Sequence, residues 1–302
     1  MPAPFAPDLC GYRYEKGAVT TRPNTSDAND EQSVYLAAAV FDLMGVPHTR
    51  QASGDQGTAV EKAVVKHLQM LRPDLEIGNS QQARRFAQYE HLGVTKDFIK
   101  AYRASTKSRR ARLEGIANLL LATVPRIREG SRVGDRPQFK TLLRHLDEEE
   151  AAFLAFSDLA SEESLLKIDL TIAQRSVETL PQLRIALSSK WTLRTDRAQD
   201  CVSQGSKLAA QKRGRMPHFA VVTMEVRPAM LAIPCDGPSV DCVYHLDLTA
   251  LIRAVDIIAE DKPLDWSPKR TLNRLIRQGR LRDYEDLVTE VMEIPEEPVV
   301  AA

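Results

Sequence analysis

The first half of the chain carries apolar residues at helical spacing. Residues 31–44 form a largely apolar stretch that ends at Gly45 and Pro47, which predicts a buried helix. A second helix is predicted to open at Thr58, with an apolar stripe made of Val60, Val64, Leu68 and Leu71. Glu61 lies on the flank of this stripe, where a side chain can face a cleft. Further helices are predicted near residues 80–92, 95–104, 108–123 and 138–157.

The pattern changes after about residue 164 to short apolar runs, which predict β-strands. The predicted strands are LLKIDLTIA (165–173), LRIALSS (183–189), HFAVVTMEV (218–226), AMLAIP (229–234) and DCVYHL (241–246). Residues 196–212 predict an amphipathic helix between the second and third strands, with Thr195 as its N-cap. Two further helices are predicted over 247–259 and 270–292, with a break at Asp283. The fold class is therefore mixed α/β.

Length and composition favour one globular domain over residues 1–302, with a mainly helical part (1–160) and a core that holds the chemistry (161–302). The 41 basic and 41 acidic residues balance, so bulk charge does not indicate a nucleic-acid partner. The four cysteines lack C-x-x-C spacing, which predicts reduced, buried thiols and a cytoplasmic protein. An apolar run long enough for a membrane span is absent, as is a secretion signal, so no membrane association is expected.

Candidate chemistry begins at the end of the second predicted strand. Ser188-x-Lys190 matches half of a split nuclease signature, whose other half is an acidic residue on a preceding strand. Asp169 is an acid inside an otherwise apolar strand, where a buried charge requires a partner or a metal ion. A structural salt bridge is the alternative interpretation of Asp169. Hydrolysis of a phosphodiester by these groups would need a divalent cation such as Mg²⁺.

Two arginines and an acid follow four residues after the lysine. Arg194 and Arg197 match the bidentate hydrogen bonding of guanine, and Asp196 matches the amino group of cytosine. At the start of a helix these three side chains could enter a major groove and read a C·G-rich site. The alternative is a capping aspartate between two surface arginines.

The segment SSKWTLRTDRAQD resembles the NgoMIV-type Type II restriction endonucleases of the PD-(D/E)xK superfamily, and the similarity is dense over residues 183–247. GDQGTAVEKAV and RRFAQYEHLG resemble further islands of the family. The resemblance implies a restriction-endonuclease-like mixed central sheet flanked by helices. It also implies Mg²⁺-dependent cleavage of duplex DNA at a palindromic CCGG-core site, GCCGGC, by a homo-oligomer, either a dimer or a tetramer. A cognate cytosine methyltransferase in the host is the functional partner that the family implies.

The resemblance also assigns roles to residues of this chain. Ser188 and Lys190 fall on the active-site Ser-x-Lys, Asp169 on the metal-binding aspartate and Glu61 on an N-terminal active-site glutamate. The family's readers of the CCGG core fall on Arg194, Asp196 and Arg197, and its reader of the outer base pair falls on Asp27.

Two positions depart from the family pattern. Asp169 follows Ile168 where the family has proline. Gln204 stands fourteen residues after Lys190, where the family has a glutamate, so a neutral amide replaces a carboxylate. Asp200, one helical turn earlier, is the expected compensating ligand beside Asp169 and Glu61. The competing hypothesis is a site-specific DNA-binding protein whose nuclease activity is lost or impaired through Gln204.

Overall fold

The computed structural model of the chain describes residues 2–52, 54–123, 137–160 and 166–296. The helices among these residues are α1 Ala6–Leu9, α2 Glu31–Leu43, α3 Gln56–Leu71, α4 His91–Thr123, α5 Pro137–Ala160, α6 Thr195–Gln211, α7 Pro228–Cys235, α8 Leu248–Ala259, α9 Ser267–Arg277 and α10 Tyr284–Met292. The strands are β1 Tyr12–Glu15, β2 Ala18–Pro23, β3 Glu76–Gln82, β4 Lys167–Gln174, β5 Gln182–Lys190, β6 His218–Thr223, β7 Cys242–His245 and β8 Leu281–Asp283.

The chain packs as two compact units, one from residues 1–88 and 167–302 and the other from Tyr89–Leu166. The second unit contains α4 and α5, which contact each other through aromatic rings, with the Tyr102 and Phe153 centroids 4.2 Å apart. None of the described helices combines the length and the apolar character that a bilayer crossing requires. The organisation of residues 1–302 as a single domain stays a prediction.

A six-stranded sheet in the order β3-β4-β5-β6-β7-β8 is the centre of the first unit. β3, β4 and β5 pair antiparallel, whereas β5, β6, β7 and β8 pair parallel. The central strands are buried over most of their length because helices cover both faces, as parallel strands require. The predicted mixed central sheet flanked by helices is confirmed, and a small β1–β2 hairpin accompanies it.

Helix α6 connects the parallel strands β5 and β6, as the predicted crossover requires. Its buried face consists of Ala198, Cys201, Gly205 and Leu208. The start of α6 therefore lies near the carboxyl end of β5, at the edge of the sheet where Lys190 ends the strand.

Several sequence predictions were wrong. Residues 80–92 contain the end of β3 and two short 3₁₀ turns, because EIGNSQQ is a polar edge strand whose pattern does not resemble that of a buried strand. Residues 229–234 lie in α7, since Pro228 occupies its first turn and short apolar runs fit either structure. The 270–292 helix is two helices separated by β8, although Asp283 does mark a break.

Two helix starts were also predicted at the wrong residue. α6 begins at Thr195, and Arg194, which has an extended backbone, takes the N-cap position. α3 begins at Gln56, because the Asp55 side chain accepts a hydrogen bond from the Thr58 amide at 3.1 Å and caps the helix earlier.

Candidate active site and DNA-reading surface

The antiparallel pairing of β4 with β5 places Asp169 beside the Ser-x-Lys segment. Leu170 pairs with Leu187, so Asp169 lies opposite the next residue, Ser188. Asp169 Oδ2 accepts hydrogen bonds from the Ser188 hydroxyl at 3.2 Å and the Ser189 amide at 3.0 Å, and pairs with Lys190 Nζ at 2.7 Å. The acid and the Ser-x-Lys segment therefore form one cluster, in which Asp169 does make the salt bridge that the sequence allowed.

Lys190 is an ammonium group in this cluster. Burial by itself lowers the pKa of Lys190, but the hydrogen bond and the charge of Asp169 raise it above its ordinary value. Asp200 on α6 adds a smaller contribution in the same direction, so its carboxylate lies within electrostatic range of Lys190. A charged lysine at a half-buried position can donate to an anionic phosphate.

Glu61 on α3 belongs to the same electrostatic environment. Burial raises the pKa of Glu61 and the negative charge of Asp169 raises it further, while Lys190, Asn79 and Lys167 oppose the shift. The carboxylates of Glu61 and Asp169 thus lie close enough to repel each other. A cation bound there would relieve this repulsion.

Gln204 lies further along α6, next to the start of β4. Its Nε2 donates to the Lys167 carbonyl at 2.9 Å, which fixes the orientation of the amide because a carbonyl cannot donate. Its Oε1 is buried and has no hydrogen-bond partner among the described residues. A buried acceptor without a partner is costly, and a cation or a water molecule would satisfy it.

Asp169, Glu61 and Asp200 do not meet at one point. Among the described residues, no group of three or more His, Cys, Asp or Glu side chains is arranged to hold a metal ion. Asp169 and Glu61 are close enough to affect each other, and Asp200 lies on the Lys190 side of the cluster. The arrangement therefore brings the predicted catalytic residues together without forming a complete set of carboxylate ligands.

The three predicted base-reading side chains project from the start of α6. Arg194, Asp196 and Arg197 are exposed. Within the described ranges, none of these side chains makes a hydrogen bond or an ion pair, and Asp196 does not cap α6. Three unpaired side chains with complementary donor and acceptor groups are therefore available to an external partner.

Sequence reasoning missed a buried network next to these residues. Glu225, which is fully buried, accepts from the Leu193 amide at 2.7 Å and from the Arg227 side chain at 2.8 Å. Arg227 also donates to the Leu193 carbonyl at 2.6 Å and to Asp27 Oδ2 at 3.0 Å. The network fixes Leu193, which immediately precedes Arg194, and ties the N-terminal segment to it. The only sequence signal was an acid in the apolar run HFAVVTMEV.

Asp27 is the predicted reader that comes from the N-terminal segment. The Asn29 amide is the main cause of a lowered Asp27 pKa, and the charges of Arg227 and Arg194 lower it further. Asp27 is thus an ionised acceptor within electrostatic range of Arg194. The fold brings together two predicted readers that are far apart in the sequence.

Comparison with known proteins agrees with this geometry. Residues 157–292 match the model of the NgoMIV restriction enzyme family. This part of the chain is similar to the NgoMIV restriction enzymes. Type II restriction enzyme NgoMIV of Neisseria gonorrhoeae is 35% identical over 109 residues, and the aligned part covers 36% of each chain. The chain therefore aligns with about a third of the length of this curated relative. The matched residues include Asp169, the Ser-x-Lys segment and the exposed side chains at the start of α6 that the sequence predicts to read bases.

Proposed function

We propose that the protein is a Type II restriction endonuclease, which hydrolyses both strands of duplex DNA at a palindromic site with a CCGG core. The observation that carries this proposal is the position of the Asp169–Lys190 pair at the end of β5, a few residues before the unpaired reader side chains of α6. A site-specific nuclease requires catalytic side chains and base-recognising side chains on adjacent elements. The match to the NgoMIV restriction enzyme family supports the same function.

Each residue of the cluster has a proposed role. Lys190 donates to the scissile phosphate or orients the attacking water, and the Ser188 hydroxyl and the Ser189 amide hold Asp169 in place. Burial raises the pKa of half-buried Glu61, which makes its carboxylate a stronger base, and its proposed role is to accept a proton from the attacking water. Arg194, Asp196 and Arg197 read the CCGG core, and Asp27 reads the outer base pair.

Mg²⁺ is the proposed cofactor. When bound, it would supply charge neutralisation on the phosphate and would acidify the attacking water. The oxygens present suit a hard cation, since Asp169 uses only Oδ2 among its described contacts and the Glu61 carboxylate lies within electrostatic range of Asp169. The buried Oε1 of Gln204 is a further neutral oxygen. Asp169, Glu61 and Asp200 are the proposed ligands, with Gln204 beside them, and the three carboxylates would have to move closer together when the cation binds.

The remaining expectations follow from the proposed function. The full site is GCCGGC, and its two-fold symmetry requires at least a homodimer, with a tetramer as the larger assembly. The functional partner is a cytosine methyltransferase that protects the host DNA. The four cysteines are free and buried, as a reducing compartment such as the cytoplasm permits.

Cleavage of a defined plasmid tests the proposal. The purified protein with Mg²⁺ should linearise a plasmid that carries one GCCGGC and leave intact a plasmid in which this site is altered. Lys190→Ala should reduce cleavage at least about 100-fold, because the lysine ammonium group no longer stabilises the charge on the scissile phosphate. Specific binding of the DNA should remain. Lys207→Ala removes an exposed lysine of α6 and is the matched control, which should cleave like the wild type.

A second candidate function follows from Gln204. If the wild-type protein shifts a GCCGGC duplex in a gel but cuts nothing at any Mg²⁺ concentration, the chain is a site-specific DNA-binding protein whose nuclease activity is lost. The amide at residue 204 favours this alternative, because it supplies no charge to a cation. If the protein neither cuts nor binds in preference to other DNA, both functions are excluded.

A further inference from the structure

Glu225 is a buried carboxylate to which the proposed chemistry gives no direct role. It lies just beyond the end of β6, and its side chain is completely buried. Its backbone is fixed on the sheet, because its amide donates to Thr223 Oγ1 at 3.1 Å and its carbonyl lies 3.1 Å from His245 Nε2. A buried carboxylate on a rigid anchor can set the position of whatever it binds.

Glu225 binds Leu193, in the loop that leads into α6, and Arg227, the N-cap of α7. Oε2 accepts from the Leu193 amide at 2.7 Å, and Oε1 accepts from the amide and the Nε of Arg227 at 2.9 and 2.8 Å. Arg227 in turn donates to the Leu193 carbonyl at 2.6 Å. Both backbone polar groups of Leu193 are therefore held by one pair of charged side chains.

Holding Leu193 fixes the residue that follows it. Arg194 is the N-cap of α6, and it has no side-chain capping hydrogen bond. The helix start therefore depends on contacts made before it, and the Glu225–Arg227 pair supplies them. Because Arg227 also binds Asp27, the same pair sets the distance between the N-terminal segment and the start of α6.

We propose that Glu225 is a positioning residue for DNA sequence discrimination, which acts through Leu193 on the orientation of Arg194. This inference rests on the proposed function. A base-reading guanidinium makes two hydrogen bonds in fixed directions, so a small displacement of its backbone costs discrimination without removing charge from the DNA-facing surface. Loss of Glu225 should therefore weaken specific binding and leave non-specific binding unchanged.

Glu225→Gln is the most direct variant. Glu225 accepts hydrogen bonds from four N–H donors, which are the Leu193 amide and the amide, Nε and Nη2 of Arg227. A glutamine in its place would turn its NH₂ group towards one of these donors and could not hold both Leu193 and Arg227. We expect the ratio of dissociation constants for a duplex with altered CCGG and for GCCGGC, measured without Mg²⁺, to fall about 10- to 100-fold. Glu225→Asp keeps the charge but shortens the reach, and it should give a smaller loss in the same direction.

Glu290→Gln is the matched control for lost stability. Glu290 also forms partly buried ion pairs, with His218 and Arg282, but His218 is at the opposite end of β6. This variant should be destabilised and should keep the wild-type discrimination ratio.

A double-mutant cycle separates positioning from a general structural role. In the Arg194→Ala background, Glu225→Gln should change the discrimination ratio less than twofold, since it acts through the missing guanidinium. Equal effects in both backgrounds would overturn the proposal, as would wild-type discrimination in both Glu225 variants. A wild-type protein without any preference for GCCGGC would instead refute the proposed function itself.

Discussion

Gln204 is the residue whose chemistry departs most from the rest of the site. A glutamate in its place would lose the hydrogen bond to the Lys167 carbonyl and would direct a charge at that oxygen. We predict that Gln204→Glu lowers the free energy of unfolding by about 1–3 kcal/mol without metal, because an unsatisfied buried charge replaces a donor. With Mg²⁺ the same carboxylate becomes a charged ligand, so Mg²⁺ should stabilise the variant more than the wild type.

Thermal unfolding at increasing Mg²⁺ concentration measures this difference. Gln199→Glu adds the same charge to an exposed position of α6 and serves as the control, with a Mg²⁺ response equal to that of the wild type. Equal responses of the Gln204 and Gln199 variants would show that residue 204 does not contact the cation.

At the residue scale, functional residues that are close together in the sequence were predictable, whereas a network formed by distant segments was not. Ser188, Lys190 and Arg194 lie within seven residues, so their types and spacing alone indicated cutting and reading groups. The Glu225–Arg227 network depends on three segments that meet only in the fold. In the sequence Glu225 is only an acid inside a predicted strand, and alternation in a strand does not show which polar groups find buried partners.

At the scale of elements, the packing of α6 on the sheet determines where the proposed base-reading side chains project. Gly205 lies on the buried face of α6, where an added Cβ would overlap the Ser239 carbonyl oxygen and would lie 2.7 Å from Phe219 Cδ1. Gly205→Ala should therefore destabilise the protein by about 1–3 kcal/mol, because overpacking against backbone outweighs the gain of about 1 kcal/mol in helix propensity.

Chemical denaturation tests this balance with a glycine from another helix. Gly115 in α4 has no atom within 4 Å of an added Cβ, so Gly115→Ala should be neutral or stabilising by up to about 1 kcal/mol. If Gly205→Ala were as stable as Gly115→Ala, then α6 would be able to move away from the sheet without cost.

The predicted strands were correct where burial on both faces gives a clear apolar run in the sequence. β4, β5, β6 and β7 are covered on both faces and were read from their apolar runs. β3 lies at the sheet edge with a polar sequence, and α7 is apolar all round, so neither carries a diagnostic pattern. For such segments only the tertiary partners determine the structure.

On the scale of the whole molecule, one partly buried ionic cluster links the C-terminal elements at the end of β6 opposite the proposed active site. His218 at the start of β6 pairs with Asp241 at 3.0 Å and with Glu290 of α10 at 3.2 Å, and its Nε2 is 3.0 Å from the Tyr244 hydroxyl. Cys242 is also in contact with the ring, and Arg282 pairs with Glu290 at 2.7 Å. Two strands, a helix and a loop are thereby joined through a single imidazole.

The protonation of His218 should therefore govern the stability of the first unit in alkaline solution. Burial lowers the pKa of His218, but Asp241, Cys242 and Glu290 outweigh this and raise it from 6.5 to about 10. A folded-state pKa above the unfolded value means that the stabilisation is complete below about pH 6.5 and is lost as the pH rises towards 10. Urea unfolding of the wild type should show this decline, by at most about 1.4 kcal/mol per pH unit.

His218→Gln should be less stable than the wild type at pH 6.5, and its stability should not show the part of the alkaline decline that comes from His218. His48→Gln, which removes an exposed histidine beside Asp42, should keep the wild-type slope, and an identical slope in the His218 variant would show that the ring is not charged in the fold.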